Sequence, residues 1–160
     1  MSHVIMMCGV CGSGKTTYAR QKEKEGYVRL SIDEEMWSRY GQRGVDYPAD
    51  DYDSLSEQVE KYLCGEMVRL IQEGRDVVMD FSFWNRQSRD TYRGLIQRHG
   101  AVSQLVYLKA GKDVLRRRLK KRNQTLHANS PFVITDKILD HHYKNFQEPV
   151  GEGELVLIQR

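Results

Sequence analysis

The sequence predicts an α/β fold in which helices cover a parallel β-sheet. Short apolar runs rich in β-branched residues alternate along the chain with longer segments whose apolar residues recur at the helical period. The 160 residues fit one domain, since domains commonly contain roughly 100–200 residues. Hydrophobic residues make up 39% of the chain and charged residues 29%, which excludes a disordered or collagen-like polypeptide. We therefore expect residues 1–160 to fold around a single core.

Five short segments have the composition of buried strands, and each is followed by a polar residue or a glycine. The predicted strands are His3–Cys8, Tyr27–Ile32, Asp76–Met79, Gln104–Leu108 and Leu155–Ile158. Helical segments separate them, so crossover connections and parallel pairing are expected. The sequence therefore predicts a five-stranded parallel sheet.

Segments with the helical period follow the strands. They are predicted at Lys15–Glu25, Asp51–Glu73, Asn85–Gly100, Lys112–Arg122 and Thr135–Phe146. Ser31 and Glu34 have the spacing of a capping box, which indicates a further helix start after the second strand. Two irregular stretches, Gly41–Asp50 and Asn123–Pro131, interrupt the pattern, and loops of this length commonly form lids or the walls of binding sites.

Charge and cysteine content indicate the compartment of the protein and its partners, but they say little about its activity. The chain has 25 Lys plus Arg and 22 Asp plus Glu, and the net charge of +3 is too small to indicate a nucleic-acid scaffold. The apolar stretch Val4–Cys8 is too short for a signal sequence or a membrane span. Three cysteines are few and odd in number, which is typical of a reducing compartment. We predict a cytoplasmic protein without a membrane partner, either a monomer or a weak dimer.

The segment GVCGSGKT at residues 9–16 matches the pattern G-x-x-x-x-G-K-[ST], and it lies between a predicted strand and a predicted helix. In this phosphate-binding loop, glycines let successive N–H groups point at phosphate oxygens, and the helix adds the positive end of its dipole. Lys15 is expected to reach the β- and γ-phosphates of ATP, and the Thr16 hydroxyl to hold Mg²⁺. The predicted nucleotide-binding residues are Gly9, Cys11, Gly12, Ser13, Gly14, Lys15, Thr16 and Thr17.

Two features with the composition of metal sites are assigned other roles. Cys8 and Cys11 have C-x-x-C spacing, as in redox and zinc sites, but the chain has no second such pair and the cysteines overlap the glycine-rich loop. His142 follows another histidine, His141, yet the two point in different directions on a helix. We therefore favour the phosphate-binding interpretation of the cysteine segment. We predict that His142 is a packed histidine on one face of its helix and not a metal ligand.

Two aspartates follow predicted strands, Asp33 after the second and Asp80 after the third. The carboxyl ends of parallel strands meet at one edge of the sheet, which is where ligands bind. An aspartate beside the γ-phosphate can accept the proton of an attacking hydroxyl, so Asp33 is the candidate base. Asp33 also suits a helix N-terminus, and the two roles are compatible. Asp80 is a candidate for acceptor binding, for the Mg²⁺ shell or for a helix cap.

The stretch after Asp80 is assigned to the acceptor side of the site. Phe81, Phe83 and Trp84 can stack on a base or a sugar, or else form an apolar seam beneath the acceptor loop. We predict that Asp80, Trp84 and Arg86 bind the acceptor.

A cationic run, Arg116–Arg122, lies in the predicted helix Lys112–Arg122. At 100° per residue, Arg118 and Arg122 share a stripe with two leucines, whereas the other cations spread over the opposite side. Arginines that flank a packing face can reach over nucleotide phosphates and stabilise charge on the transferring group. We therefore predict that residues 112–131 form a lid with Arg118 and Arg122 as its catalytic arginines.

Together these segments resemble small P-loop kinases of the polynucleotide 5′-kinase and zeta-toxin type, a group that includes AAA-like ATP-binding proteins. The resemblance covers nearly the whole chain and rests on CGVCGSGKTTYAR, LSIDEEMW, VVMDFSFWNRQSRD, VLRRRLKKRN and the late helix. It implies a P-loop NTPase three-layer fold, with the strand before the phosphate-binding loop in the centre of the sheet and helices on both faces. It also implies that Asp33 is the general base, that Asp80 lies near the acceptor and that Arg118 and Arg122 belong to the lid.

The expected activity is transfer of the γ-phosphoryl group of ATP, with Mg²⁺, to a hydroxyl of a small molecule, a nucleotide or a nucleic-acid 5′ end. The acceptor-side stretch FSFWNRQSRD is more aromatic than its counterpart in polynucleotide kinases, which disfavours a polynucleotide. The alternatives are an ATPase that couples hydrolysis to motion and a nucleotide-binding module without catalysis. A single domain disfavours the first, and the presence of a candidate base and lid, Asp33 and Arg118, disfavours the second.

Overall fold

The computed structural model describes residues 1–128, 130 and 132–160, and the strands in this part of the chain form one parallel sheet. In chain order they are β1 (His3–Cys8), β2 (Val28–Ser31), β3 (Val77–Asp80), β4 (Val102–Ala110) and β5 (Leu155–Gln159). Their order across the sheet is β2-β3-β1-β4-β5. The predicted parallel sheet of five strands with β1 in the centre is therefore confirmed.

Three strands, β2, β4 and β5, differ in length from the prediction, and β3 is shifted by one residue so that it includes Asp80. β4 starts at Val102 because the Val102 N–H donates to the Ser2 carbonyl at 2.9 Å, which extends the pairing with β1. β2 ends at Ser31 because the Ser31 hydroxyl already caps the next helix, accepting from the Glu34 N–H at 3.2 Å. The register pairs Ser31 with Asp80, so the ends of β2 and β3 are neighbours.

Helices connect the strands, and their bounds lie close to the predicted ones. In chain order they are α1 (Lys15–Lys24), α2 (Ile32–Tyr40), α3 (Tyr52–Gln72), α4 (Arg86–Arg98), α5 (Lys112–Arg122) and α6 (Asp136–Asn145). The capping box marks α2, as expected, and the predicted starts at Asn85 and Thr135 are the capping residues of α4 and α6. Among the described residues, no helix is both long and apolar enough to cross a lipid bilayer.

The helices lie on both faces of the sheet, which confirms the three-layer fold. Alternate residues of β1, such as Val4 and Met6, join one buried cluster with side chains of α2, α3 and α4. Their neighbours Ile5 and Met7 point to the other face and pack against Ala19 of α1. A strand that is buried on both faces reads as a continuous apolar run, which is why β1 could be recognised in the sequence.

The lid helix α5 packs with α6 beside the phosphate-binding loop. Val10 of the loop shares a buried cluster with Leu115 and Leu119 of α5 and Leu139 of α6. Gly12 has a φ of +86°, and a Cβ at this position would come within 2.9 Å of Leu119 Cγ. Glycine at this position therefore allows both the loop conformation and the close approach of α5.

Candidate functional site

A cleft of about 1070 Å³ opens at the carboxyl ends of the strands, beside the phosphate-binding loop. Most of the predicted site residues line it, although they come from six different parts of the chain. They are Cys11, Gly12, Gly14, Lys15, Thr16, Thr17, Asp33, Asp80, Trp84, Arg118 and Arg122. The fold therefore brings together, at one edge of the sheet, residues predicted to bind the nucleotide, to act as the base, to form the lid and to bind the acceptor.

The phosphate-binding loop ends in a helix N-terminus that faces the cleft. Gly14 caps α1 in a left-handed conformation with φ of +98°, and none of the described side chains caps this end of the helix. Lys15 lies in the cleft and its Nζ donates to the carbonyls of Gly9 and Val10, at 2.9 and 3.2 Å. Burial lowers the pKa of Lys15. The loop thus directs N–H groups and one cation to the same place.

Gly9 and Ser13 belong to the loop but do not line the cleft. The Gly9 N–H donates to the Ser82 carbonyl at 3.2 Å, which ties the phosphate-binding loop to the acceptor loop, residues 82–85. Ser13 is buried, and its carbonyl accepts from Arg118 Nη1 at 3.1 Å. In this structure both residues shape the loop and connect it to its neighbours.

Asp80 is held by two partners at the base of the cleft. Its Oδ2 accepts from the Thr16 hydroxyl at 3.0 Å and from Arg29 Nη1 at 2.9 Å. Arg29 also pairs with Glu34 at the start of α2. The side chains of Arg29 and Asp80 are each only 4% exposed, so this ion pair is buried.

Sequence reasoning missed Arg29. It lies in the middle of β2, in the run VRLS, where the neighbouring leucine and serine are buried. A charged residue inside a predicted buried strand indicates a buried partner of opposite charge or a hydrogen-bond acceptor, because such a group is rarely buried without a partner. The identity of the partner is not readable in the same way, since Asp80 lies 51 residues further along the chain.

Asp33 faces the cleft and is not needed as a cap, because Ser31 caps α2. Burial raises the pKa of Asp33 to about 6, and the neighbouring Asp80 carboxylate adds to this rise. The positive charges of Lys15 and Arg122 lower the pKa, as does a hydrogen bond from the Tyr52 hydroxyl. A carboxylate with this pKa can take up a proton near neutral pH.

The lid helix presents the predicted stripe to the cleft. Leu115 and Leu119 are buried, Arg118 and Arg122 are half-buried, and the other cations of the run are exposed. Besides Ser13, Arg118 contacts the end of β5, where its Nη1 donates to Gln159 Oε1 at 3.3 Å.

The remainder of the predicted lid, after α5, is described only in part. Arg122 Nε donates to the Ser130 hydroxyl at 3.1 Å. Asn129 and Pro131, which fall within the predicted lid, lie outside the described residues. Asn123 joins the end of α5 to the residues that follow the predicted lid. Its side-chain amide exchanges two hydrogen bonds with the backbone of Ile134, at 2.8 and 2.9 Å.

The first irregular stretch contacts the residue that follows the second at the side of the cleft. The Arg43 guanidinium lies 4.5 Å from the ring centroid of Phe132 and 5.0 Å from that of Tyr52. Phe132 and Tyr52 line the cleft, whereas residues 41–50 do not. Within the predicted bounds, Asn123–Pro131 contributes His127 to the lining of the cleft, and Gly41–Asp50 supports Tyr52 through Arg43.

The acceptor loop is fixed from behind by buried polar contacts. Phe81 and Phe83 are buried and stacked at 5.5 Å, so they form the apolar seam. All three aromatic residues line the cleft, and Trp84 is 44% exposed. Phe83 has a φ of +45°, which is uncommon for a residue with a side chain. Its carbonyl accepts from Arg89 Nη1 at 2.8 Å.

The contacts of Arg89 that hold this loop, here called the clamp, extend to the C-terminal part of the chain. Arg89 makes two parallel hydrogen bonds to Glu152, at 2.9 and 3.0 Å, and both side chains are only 1% exposed. The Gln147 N–H donates to the Trp84 carbonyl at 2.8 Å. Arg89 could not be singled out from the sequence, because α4 contains several similar arginines.

Arg86 does not join the other predicted acceptor residues in the cleft. Its side chain is 59% exposed and pairs with Asp90 at 3.6 Å on the surface of α4. Its backbone N–H donates to Gln147 Oε1 at 3.0 Å. Arg86 therefore contributes to the clamp through its backbone and does not face an acceptor in this structure.

Neither cysteines nor histidines form a metal site in the described part of the chain. All three cysteines are free thiols, and burial raises the pKa of Cys8 to about 11. His142 is half-buried and lines the cleft, where its Nδ1 accepts from the Cys11 N–H at 3.4 Å. Burial lowers the pKa of His142 to about 4, so the imidazole is neutral at pH 7. The packed histidine expected from the sequence is thus a neutral support for the phosphate-binding loop.

Comparison with known proteins identifies relatives of the same architecture. A family model described as an AAA domain matches residues 4–149. A UPF0200 protein of Pyrobaculum aerophilum is 28% identical over 125 residues, which cover 78% of this chain and 69% of that protein.

Solved structures share the fold at low sequence identity. An unliganded sugar kinase from Janibacter superposes with a TM-score of 0.66 and 22% identity, covering 99% of this chain and 85% of that chain. Kti12 of Chaetomium thermophilum, in complex with ADP-AlF3, has a TM-score of 0.68 and 15% identity, covering 97% and 88% of the two chains. The P-loop NTPase three-layer fold implied by the sequence resemblance is therefore confirmed.

Proposed function

The chain belongs to the AAA domain family, and we propose that it is a kinase that transfers the γ-phosphoryl group of ATP, with Mg²⁺, to a hydroxyl. The observation that carries the proposal is the shared cleft of Lys15, Asp33 and the two lid arginines. A module that only binds nucleotide has no use for a buried carboxylate of raised pKa beside the phosphate-binding loop.

The nucleotide side is supported by the loop itself. The free N–H groups at the start of α1 and the Lys15 ammonium suit the β- and γ-phosphates. The sugar kinase and the ADP-AlF3 complex of Kti12, which share this fold, support the same use of the loop. Arg118 and Arg122 approach from α5, where they can neutralise charge on the transferring group.

The residues around Thr16 fit a magnesium ion. The Thr16 hydroxyl lies 3.0 Å from the Asp80 carboxylate, and oxygen atoms of this kind are the ligands that Mg²⁺ prefers. When bound, Mg²⁺ supplies charge neutralisation on the phosphate oxygens. Arg29 donates a hydrogen bond to the Asp80 carboxylate and orients it, so it acts as a positioning residue for this site.

In the proposed transfer, Asp33 accepts the proton of the acceptor hydroxyl. The acceptor oxygen forms a bond to the γ-phosphorus, the bond between that phosphorus and the β–γ bridging oxygen breaks, and ADP leaves. The Tyr52 hydroxyl orients Asp33 for this role. Residues 112–131 act as the lid of a single domain, and three free thiols suit a cytoplasmic setting.

Replacing Lys15 with alanine is expected to abolish the thermal stabilisation that ATP and Mg²⁺ give the wild-type protein. A ligand at 100 times its Kd stabilises a protein by about 2.7 kcal/mol, which is a shift of several degrees. Differential scanning fluorimetry with and without ATP and Mg²⁺ measures the effect. Lys24→Ala is the matched control, because Lys24 is an exposed lysine at the other end of α1. An undiminished shift in Lys15→Ala would contradict the nucleotide site.

The rate of transfer is expected to rise with pH through an apparent pKa of about 6. Asp33 acts as a base only when it is deprotonated, and its pKa is raised to about 6 from an ordinary value near 3.8. The profile of kcat/KM between about pH 5 and 8 measures this acid limb. Because nucleotide phosphates also titrate in this range, ATP binding is followed over the same pH values. A flat profile with constant ATP binding would contradict the assignment of Asp33.

A further inference from the structure

The charges that line the cleft are divided between its two halves. Lys15, Arg20, Arg118, Lys121 and Arg122 come from the phosphate-binding loop, α1 and the lid helix. In the acceptor half, the described residues of α3 and of 81–88 that line the cleft include neither lysine nor arginine, because the Arg86 side chain lies on the surface of α4. The half that would hold the acceptor thus lacks the cations that bind a phosphate or a carboxylate.

The wall formed by α3 is polar and acidic. Tyr52, Ser56 and Glu60 are spaced by four residues, so they share one face of the helix, and all three line the cleft. Glu60 is half-buried, and its Oε1 accepts from the Tyr92 hydroxyl at 3.2 Å, which fixes the carboxylate. No described lysine or arginine pairs with Glu60.

A helix N-terminus is the other common anion site, and α4 begins in the same half of the cleft. Two of its first three N–H groups already have partners. The Asn85 side chain accepts from the Ser88 N–H at 2.7 Å, and Gln147 Oε1 accepts from the Arg86 N–H at 3.0 Å. The start of α4 is therefore less able to bind an anion.

Trp84 also lines the acceptor half of the cleft and is 44% exposed. An indole face packs against the apolar face of a sugar ring, and it also attracts an ammonium group. A half-buried carboxylate with no cation of its own adds a site for that ammonium. Hydroxyls of Ser56 and Ser88 provide further polar contacts in the same half.

We propose that the phosphoryl acceptor is an amine-bearing polyhydroxyl compound, such as an amino sugar, whose ammonium pairs with Glu60 while Trp84 packs on its ring. This inference rests on the proposed kinase function. The ammonium has no lone pair while it is protonated and held by Glu60, so a hydroxyl near Asp33 is the group that reacts. Glu60 is thus a residue that selects the acceptor by its charge.

Binding is tested first, without turnover, in the presence of Mg²⁺ and a non-hydrolysable ATP analogue. Calorimetry compares glucosamine and kanamycin with glucose, gluconate and a dinucleotide that has a 5′-hydroxyl. We expect at least one amine-bearing compound to bind more tightly than all three others. Tighter binding of glucose, gluconate or the dinucleotide, or no binding of either amine, would overturn the proposal.

The role of Glu60 is tested with Glu60→Gln, which keeps the shape of the side chain and an acceptor for the Tyr92 hydroxyl. Loss of a charge-assisted contact is expected to weaken binding of the amine-bearing compound about 10- to 100-fold. Binding of the ATP analogue should not change, which also shows that the variant is folded. Glu57→Gln is the matched control, since Glu57 is exposed on the same helix and does not line the cleft. Equal affinities of the two variants would contradict the assignment of Glu60.

Failure of this inference and failure of the kinase function are separable. Transfer from ATP to each compound is followed by the mass gain of one phosphoryl group. Transfer to a neutral or anionic acceptor alone would support the kinase and overturn the acceptor class. Glu60-dependent binding of an amine without transfer would overturn the kinase and leave the ligand class intact.

Discussion

Replacing Asp33 with asparagine is expected to lower the rate of phosphoryl transfer by about 10²- to 10⁴-fold while ATP still binds. Asparagine has nearly the same shape as aspartate, but it cannot accept the proton of the acceptor hydroxyl. The helix start should survive, because Ser31 and not Asp33 accepts the capping hydrogen bond from the Glu34 N–H. The change thus separates the chemical step from the folding of α2.

Single-turnover measurements with saturating ATP and Mg²⁺ give the rate of the chemical step directly. Glu35→Gln is the matched control, since Glu35 lies on the same helix and its ion pair with Arg39 is at the surface. The control should transfer phosphoryl at the wild-type rate. Wild-type turnover in Asp33→Asn would remove Asp33 from the mechanism.

The sheet and the position of the cleft were predictable because their signals are local. Buried strands such as Val4–Cys8 appear as apolar runs, and the loop pattern at residues 9–16 must follow a strand. Asp33 and Asp80 could be placed together because both follow strands of a parallel sheet. The helical period alone placed Arg118 and Arg122 on the face of α5 that lines the cleft, but Lys121, which was expected on the opposite side, lines it as well.

The supports of the site were not predictable, because they join residues far apart in the chain. Arg29 and Asp80 are separated by 51 positions, and Arg89 and Glu152 by 63. Local patterns contain no information on such pairs. Arg86 and Arg89 illustrate the difficulty, since they stand three residues apart at the start of α4 and only the second points inward. Which arginine is buried depends on the tilt of α4 against the sheet.

The clamp also explains why Phe83 keeps an uncommon backbone conformation. A residue with φ of +45° costs about 1–3 kcal/mol and persists only when its surroundings determine it. Here the Phe83 carbonyl is held by Arg89, and Arg89 is held in turn by Glu152. The position of Trp84 in the cleft follows from the conformation of the residue before it. A buried ion pair is thus connected to the acceptor wall by a short chain of contacts.

Replacing Arg89 with methionine is therefore expected to destabilise the protein by about 3–5 kcal/mol, which is typical when one partner of a buried pair is removed. Glu152 would keep Arg93 as a partner, at 2.7 Å, and the Phe83 carbonyl would keep only the weak Cys8 thiol donor among the described residues, at 3.5 Å. For a chain of this length the loss corresponds to a decrease in Tm of roughly 6–20 °C. Urea unfolding and thermal melting at pH 7 measure it. Arg86→Met, an exposed arginine on the same helix, should change stability by less than about 0.5 kcal/mol.

Two further measurements distinguish the clamp from an ordinary packing defect. Replacing both charged residues, as in Arg89→Met with Glu152→Met, should recover part of the lost stability, because no unpaired buried charge remains. At a temperature where Arg89→Met is folded, its KM for the acceptor should rise while its KM for ATP stays near the wild-type value. This split is expected because Arg89 holds the Phe83 carbonyl next to Trp84 and makes no described contact with the phosphate-binding loop. An Arg89→Met protein as stable as Arg86→Met, or one with equal increases in both KM values, would show that Arg89 does not position the acceptor wall.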